Sequence, residues 1–95
     1  MVIGIIEIKL EINYARNLKE KRMVLKSILA KTKNKFNVSI SETAEQDRIQ
    51  TAVIAYACVA ANTALADSIM ENVLRFMENH TDARLCVLQR ENIIC

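Results

Sequence analysis

Glycine and proline are almost missing from this sequence. Glycine occurs once, at Gly4, and proline does not occur among the 95 residues. Their scarcity excludes glycine-rich phosphate-binding loops, collagen-like repeats and flexible low-complexity linkers. The turns must therefore use other residues, and we expect asparagine to serve them, because its side chain bonds to nearby backbone groups.

Residues that bind metals or act as nucleophiles are scarce as well. The three cysteines, Cys58, Cys86 and Cys95, are an odd number with no close pair, which argues against a disulfide framework or a cysteine-rich zinc site. The only histidine, His80, has no motif around it that would make it the base partner of a thiol. We therefore expect no catalytic residues, no metal site and no cofactor, and predict that the protein is not an enzyme.

The sequence has neither a large excess of one charge nor a long hydrophobic run. Thirteen basic and 11 acidic residues leave a net charge of +2, too small to indicate nucleic-acid binding unless the charge is unevenly distributed. The first residues, MVIGIIEIKLEI, contain charge after a few apolar positions, unlike a signal peptide or a membrane span. We expect a cytoplasmic protein without a membrane partner. Its 95 residues have the length of one domain, and 52% of them are hydrophobic, which is enough to form a core. We therefore predict a single domain over residues 1–95.

Most of the positive charge lies between residues 17 and 47, in a stretch that begins with a basic helix. Asn17 followed by Glu20 has the spacing of a capping box, which marks the start of the helix. Lys21 lies on the apolar side, where we expect its stem to pack and its ammonium to reach solvent. A period of about 100° per residue separates a core-facing side from a basic flank. The apolar side contains Leu18, Leu25, Ile28, Leu29, Thr32 and Phe36, and the basic flank contains Lys19, Arg22, Lys26 and Lys33.

Alternating apolar residues predict four strands, and a second helical pattern follows the third strand. The expected strands cover residues 3–12, 36–43, 51–60 and 83–92, and the second helix starts around residue 62. The order β, α, β, β, α, β is that of ferredoxin-like folds. We therefore predict an α+β two-layer sandwich, in which a four-stranded antiparallel sheet has two helices on one face. Its first and third strands are central, its second is at an edge, and its last allows a bulge.

The third strand is apolar on both of its faces. Residues Ala52, Ile54, Tyr56 and Cys58 alternate with Val53, Ala55, Ala57 and Val59. Either both faces are covered within the chain, or one is buried by another copy. We favour the second explanation, because a two-layer domain leaves one sheet face open. The sequence thus predicts a homo-oligomer, such as a dimer, that associates through Val53, Ala55, Ala57 and Val59.

Several segments, in this order and spacing, resemble a known family. The segments NLKEKR, LKS, KFNVSISE and EQD are similar to those of the YlxP-like family, domain of unknown function 503, over nearly the whole chain. The resemblance implies a short bacterial protein with a ferredoxin-like fold, encoded beside translation and ribosome-maturation factors and associated with RNA. It implies no particular chemistry. Position 49 departs from the family pattern, since Ile49 stands where a tryptophan is usual.

The resemblance and the basic helix together predict a binding module for ribosomal RNA or the ribosome. The helix cations can neutralise backbone phosphates without reading sequence. An RNA recognition motif is excluded because the sheet has no aromatic pattern for stacking bases, and a KH domain because its loop needs glycine. The expected nucleic-acid contacts are Arg16, Lys19, Lys21, Arg22, Lys26 and Lys33, and a further polar loop site consists of Glu42, Gln46 and Asp47.

Other interpretations stay open at this point. The basic flank can be an ordinary solvated surface, and the protein can be an interaction module that self-associates without binding nucleic acid. A third possibility is a small phosphate-binding enzyme related in fold to acylphosphatases. Arg16 would then hold a phosphate near the start of the helix, but the segment NYARN has no glycine to let the phosphate approach.

Overall fold

The computed structural model describes all residues from 1 to 95, and its elements follow the predicted order. They are β1 (Val2–Glu11), α1 (Leu18–Lys35), β2 (Ser39–Ala44), β3 (Thr51–Ala60), α2 (Thr63–His80) and β4 (Arg84–Ile94). Strand β2 begins three residues later than the alternation suggests, because Phe36 ends α1 by donating its backbone N–H to the Thr32 carbonyl. The ferredoxin-like α+β sandwich is confirmed.

The four strands form one antiparallel sheet in the order β2-β3-β1-β4. Strand β1 is central, running from Val2 opposite Ala60 to Glu11 opposite Thr51 on the β3 side. On the β4 side the register shifts between Glu7 and Ile8, which leaves Leu88 without a partner. The edge position of the second strand and the bulge in the last strand are therefore both confirmed.

The hydrophobic core lies between the sheet and the two helices. Every second residue of β1 is buried, and the alternate residues lie on the sheet face without helices, called here the open face. Each large apolar side chain buried in this core contributes about 1.5–3 kcal/mol before the entropy of ordering is subtracted. The helices contribute core residues as well, namely Leu25 and Ile28 from α1, and Ala66, Met70, Val73 and Met77 from α2. Neither helix is long and apolar enough to cross a membrane.

An asparagine side chain caps the start of each helix. The Asn17 Oδ1 accepts the backbone N–H of Glu20 at 2.9 Å, and the Asn62 Oδ1 accepts that of Leu65 at 2.9 Å. The Glu20 carboxylate in turn accepts the backbone N–H of Arg16 at 2.9 Å, one residue before the position of a standard capping box. Both caps satisfy amide groups that have no partner within the helix.

The only glycine allows α2 to approach the sheet closely. A Cβ at Gly4 would lie 3.2 Å from the Met70 Cγ and 3.3 Å from the Cys58 Sγ. Beside it, the Tyr56 hydroxyl donates a hydrogen bond to the Met70 carbonyl at 3.0 Å. Burial raises the pKa of Tyr56 well above its ordinary value of 10.0, because the phenolate would be poorly solvated there.

Candidate nucleic-acid interface

The basic flank of α1 consists of Lys19, Arg22, Lys26 and Lys33, all of which are exposed. None of the four has a carboxylate within 4.0 Å. At a rise of 1.5 Å per residue, the flank extends about 21 Å along the helix axis. It is therefore a line of cations without partners in the chain.

A shallow groove runs beside this flank, between α1 and the edge strand β2. Its floor includes Leu25 and Leu29, and Glu42 of β2 lies on the side opposite the helix. Three cations of the flank border it, namely Arg22, Lys26 and Lys33. The groove contains no aromatic side chain, so it offers phosphate contacts but no surface on which a base can stack.

Arg16 lies at the start of α1 and is highly exposed, but it already has a partner. Its Nε is 3.2 Å from the Glu20 carboxylate, and the same carboxylate accepts its backbone N–H. An exposed ion pair of this kind is weak, because water and salt screen it. Arg16 is thus available to a phosphate only in competition with Glu20.

Lys21 corrects the expected set of nucleic-acid contacts. Its side chain is 1% exposed, and its ammonium does not reach solvent. Instead it donates to the backbone carbonyls of Glu45 and Arg48, each at 2.6 Å, and approaches that of Gln46 at 3.5 Å. A buried ammonium needs such acceptors, and this requirement outweighs the preference of lysine for water. Lys21 therefore holds the loop between β2 and β3 and cannot contact a nucleic acid.

The expected polar loop site does not form as one cluster. Glu42 is part of β2, where its Oε2 lies 3.5 Å from the Lys21 nitrogen and is buried without a hydrogen bond. Gln46 is exposed and contributes only its carbonyl to Lys21. Asp47 lines a different cleft, which lies between the β1–α1 and β2–β3 loops. The carboxylates of Glu42 and Asp47 thus belong to separate surfaces.

The cleft that contains Asp47 depends on a residue that the sequence pattern does not single out. The Gln50 Nε2 donates to the carbonyls of Asn13 and Ala15, at 3.0 and 3.2 Å, and ties the two loops together. A glutamine in a polar loop normally indicates a solvated side chain, so no signal in the sequence distinguishes it. Ile49, where the resemblance predicts a tryptophan, is 41% exposed on this cleft.

The expected oligomer face is only partly accessible. Val53 is 6% exposed, with Lys9 and Ala44 opposite it on the neighbouring strands, so it is already covered within the chain and is not available to a second copy. Ala55 and Ala57 are half-buried, whereas Val59 is 68% exposed. The accessible apolar part of the open face is therefore at the Val59 end of β3.

The residue types that bind metals or act as nucleophiles do not gather in one place. No group of three or more His, Cys, Asp or Glu side chains is close enough to hold a metal ion. Cys58 is buried, and Cys86 and Cys95 are exposed and free. His80 stacks on Phe76, with ring centroids 4.0 Å apart.

Comparison with known proteins gives a family match and a relative of similar length. Residues 3–90 match the model of the family described as protein of unknown function (DUF503). The uncharacterized protein YlxP of Bacillus subtilis (strain 168) is 37% identical over 90 residues, which cover 95% of this chain and 98% of the relative. Among solved structures, the de novo designed protein Foldit4 matches with a TM-score of 0.50 and 13% identity, over 99% of this chain and 97% of the other. A likeness at that identity concerns the fold alone.

Proposed function

The chain belongs to the DUF503 family, and we propose that it is a cytoplasmic binding module for structured RNA, such as ribosomal RNA, acting through the basic flank of α1. The proposed activity is binding without catalysis. Its ligand is the phosphate backbone of a folded RNA. A ribosome or ribosomal subunit is the natural target, since structured RNA is exposed on its surface.

The observation that supports this proposal is that the four flank cations lie in one line along α1 and have no carboxylate partner, whereas four arginines elsewhere are paired. Arg16, Arg48, Arg84 and Arg90 each lie within 4.0 Å of a carboxylate of the chain. The four flank cations have no such partner, so the chain does not neutralise their charge. Unpaired cations in a line are suited to phosphates, because each contact releases a counterion from the nucleic acid.

The absence of exposed aromatic residues near the flank favours folded RNA over a single strand. Proteins that hold single strands combine a basic groove with aromatic rings on which bases stack. Of the four aromatic residues, Tyr56 is buried, Phe36 and Phe76 are half-buried and pack on each other, and only Tyr14 is exposed. Tyr14 lies in the β1–α1 loop, not in the groove. Recognition should therefore depend on backbone shape and charge.

The proposal is tested by the salt dependence of binding to ribosomal subunits or structured ribosomal RNA, with protein that is free of nucleic acid. Four phosphate contacts predict a loss of affinity of roughly 100-fold between ~50 and ~200 mM salt. Replacing Lys19, Arg22 and Lys26 together by glutamate should abolish binding without unfolding the chain. The matched control replaces Lys31, Lys35 and Arg75 by glutamate, because these exposed cations lie outside the flank and the net charge changes equally. Normal binding by the first variant would contradict the proposal.

A second candidate function is self-association without nucleic-acid binding, through the apolar end of the open face. It is favoured by the exposure of Val59 beside Ala55 and Ala57, together with Ile93 of β4, which is 39% exposed. Such a patch is suited to a protein partner, and RNA does not require it. Ala57→Glu should dissociate an oligomer of this kind, whereas Ser68→Glu on the exposed side of α2 should not. An unchanged oligomer in the Ala57 variant would contradict this candidate.

A further inference from the structure

The two edge strands of the sheet differ in how well they are protected from pairing. Strand β2 has only six residues and alternates polar side chains on its open face. Strand β4 has 11 residues and no proline, and its Val87 and Leu88 are 44% and 49% exposed. A long strand at the edge of a sheet presents a row of unpaired backbone groups to another strand. The β4 edge is therefore the one suited to accept a partner.

We propose that β4 pairs with the β4 of a second copy of this chain, antiparallel about a twofold axis between Val87 and Leu88. Two four-stranded sheets would then form one continuous sheet of eight strands. In this register Arg84 lies opposite the partner's Glu91, and Val87 lies opposite the partner's Leu88. Eight residues of each strand, 84–91, are paired over about 27 Å.

The bulge at Leu88 makes this register possible. Residues opposite each other on neighbouring strands must have side chains on the same face. Arg84 and Glu91 are seven residues apart and would lie on opposite faces of a regular strand. Because Leu88 is an extra residue, Arg84 pairs with Glu11 and Glu91 pairs with Ile5, and both partners belong to the open face. The bulge thus aligns a cation and an anion for twofold pairing.

The charges at these two positions are available for a partner. Glu91 is exposed and has neither an ion pair nor a side-chain hydrogen bond in the chain. The Arg84 side chain is 81% exposed, and its Nη1 is 3.9 Å from the Glu11 carboxylate, the longest ion pair in the chain. The twofold axis would create two Arg84–Glu91 pairs, so the edge charges attract a second copy instead of repelling it.

This dimer goes beyond the proposed RNA binding and does not interfere with it. Helix α1 packs against β2 and α2 and has no contact with β4. The basic flank therefore stays uncovered when two β4 strands pair. RNA affinity and subunit mass can be measured separately, so the failure of one proposal does not imply the failure of the other.

The test measures molecular mass by light scattering over a range of concentrations. The wild-type chain should have twice its monomer mass of 10.8 kDa. Arg84→Glu and Glu91→Arg should each raise the dimer dissociation constant at least about tenfold, or ~1.4 kcal/mol, by placing like charges opposite each other. The double variant R84E/E91R restores opposite charges and should restore the dimer.

Two results of the mass measurement would overturn the proposal. One is a wild-type chain that stays monomeric at all concentrations. The other is a dimer that resists both single charge reversals, including one that Ala57→Glu dissociates and that therefore forms through the open face. Amide hydrogen exchange provides a check on the unmodified protein, because amides of β4 that point away from β1 should exchange more slowly in the dimer than in the monomer. Equal exchange rates in the two forms would also exclude β4 pairing.

Discussion

The Lys21 ammonium nitrogen lies 2.6 Å from the backbone carbonyl oxygen of Glu45, 24 residues later in the chain. Glu45 has a φ of 63°, a left-handed conformation that is uncommon for residues other than glycine. The loop keeps this conformation while its carbonyls converge on the lysine. The contact therefore joins the first turn of α1 to the β2–β3 loop.

Replacing Lys21 by methionine should destabilise the chain by about 3 kcal/mol. The variant leaves two carbonyls without their donor and the Glu42 carboxylate without its counter-ion, which are costly changes in a buried place. Unfolding in urea measures the loss. Lys19→Met, on the exposed flank, is the matched control and should change the free energy of unfolding by less than about 0.5 kcal/mol. A loss below about 1 kcal/mol in the Lys21 variant would contradict this account of the contact.

Each single substitution in the basic flank should reduce the salt dependence of RNA binding by the contribution of one phosphate contact. Arg22→Ala removes one phosphate contact, so the slope of log K against log salt should decrease by about 1. Lys31→Ala, outside the flank, should leave the slope unchanged. Titrations at several salt concentrations measure both. Equal slopes for the Arg22 variant and the wild type would mean that Arg22 does not contact phosphate.

Val53 and Val59 should respond differently to the same substitution, although both belong to the open face of β3. Val53→Asp buries a carboxylate at a position that is 6% exposed and should cost about 3 kcal/mol or more. Val59→Asp, at 68% exposure, should be nearly neutral in the monomer. Urea unfolding at low protein concentration compares the two variants. If they were equally stable, Val53 would have to be open to solvent.

Stability should decrease at high pH because of Tyr56. In the unfolded chain its hydroxyl ionises near 10.0, whereas the folded chain keeps the proton to higher pH, so the folded state binds more protons in that range. The contribution is fully present below pH 10 and is lost by about 1.4 kcal/mol for each pH unit above it. Thermal unfolding of the wild type and Tyr56→Phe between pH 8 and 11 isolates this effect. The Tyr56→Phe variant should not show this loss of stability at high pH. If the stability of both proteins decreased equally with pH, Tyr56 would not be the cause.

The fold could be predicted from the sequence because its signals are local. Alternation and helical periodicity indicated all six elements, the Asn17 capping box marked the start of α1, and the adjacent apolar residues near Leu88 allowed the bulge that the structure contains. Family membership, expected from four short segments, is confirmed as well. Each of these features depends on residues that are close together in the chain.

The errors concern contacts between distant residues. The position of Lys21 on the apolar side of α1 was correct, but its acceptors are carbonyls 24 to 27 residues away, which no side-chain pattern reports. Val53 has the alternation of an exposed face, yet neighbouring strands cover it. Helical spacing placed the flank cations correctly, whereas the function assigned to them is still a proposal.

The Lys21 contacts hold the β2–β3 loop mainly through its backbone, and this has a consequence for how the surface can diverge among relatives. Carbonyl groups are the same whatever the side chain, so the shape of the loop does not depend on the identity of Gln46 or Ile49. Exchanging the exposed side chains would alter what the loop recognises without altering its path. The side chain at position 49 can therefore change, and with it what the loop contacts, while the scaffold stays the same.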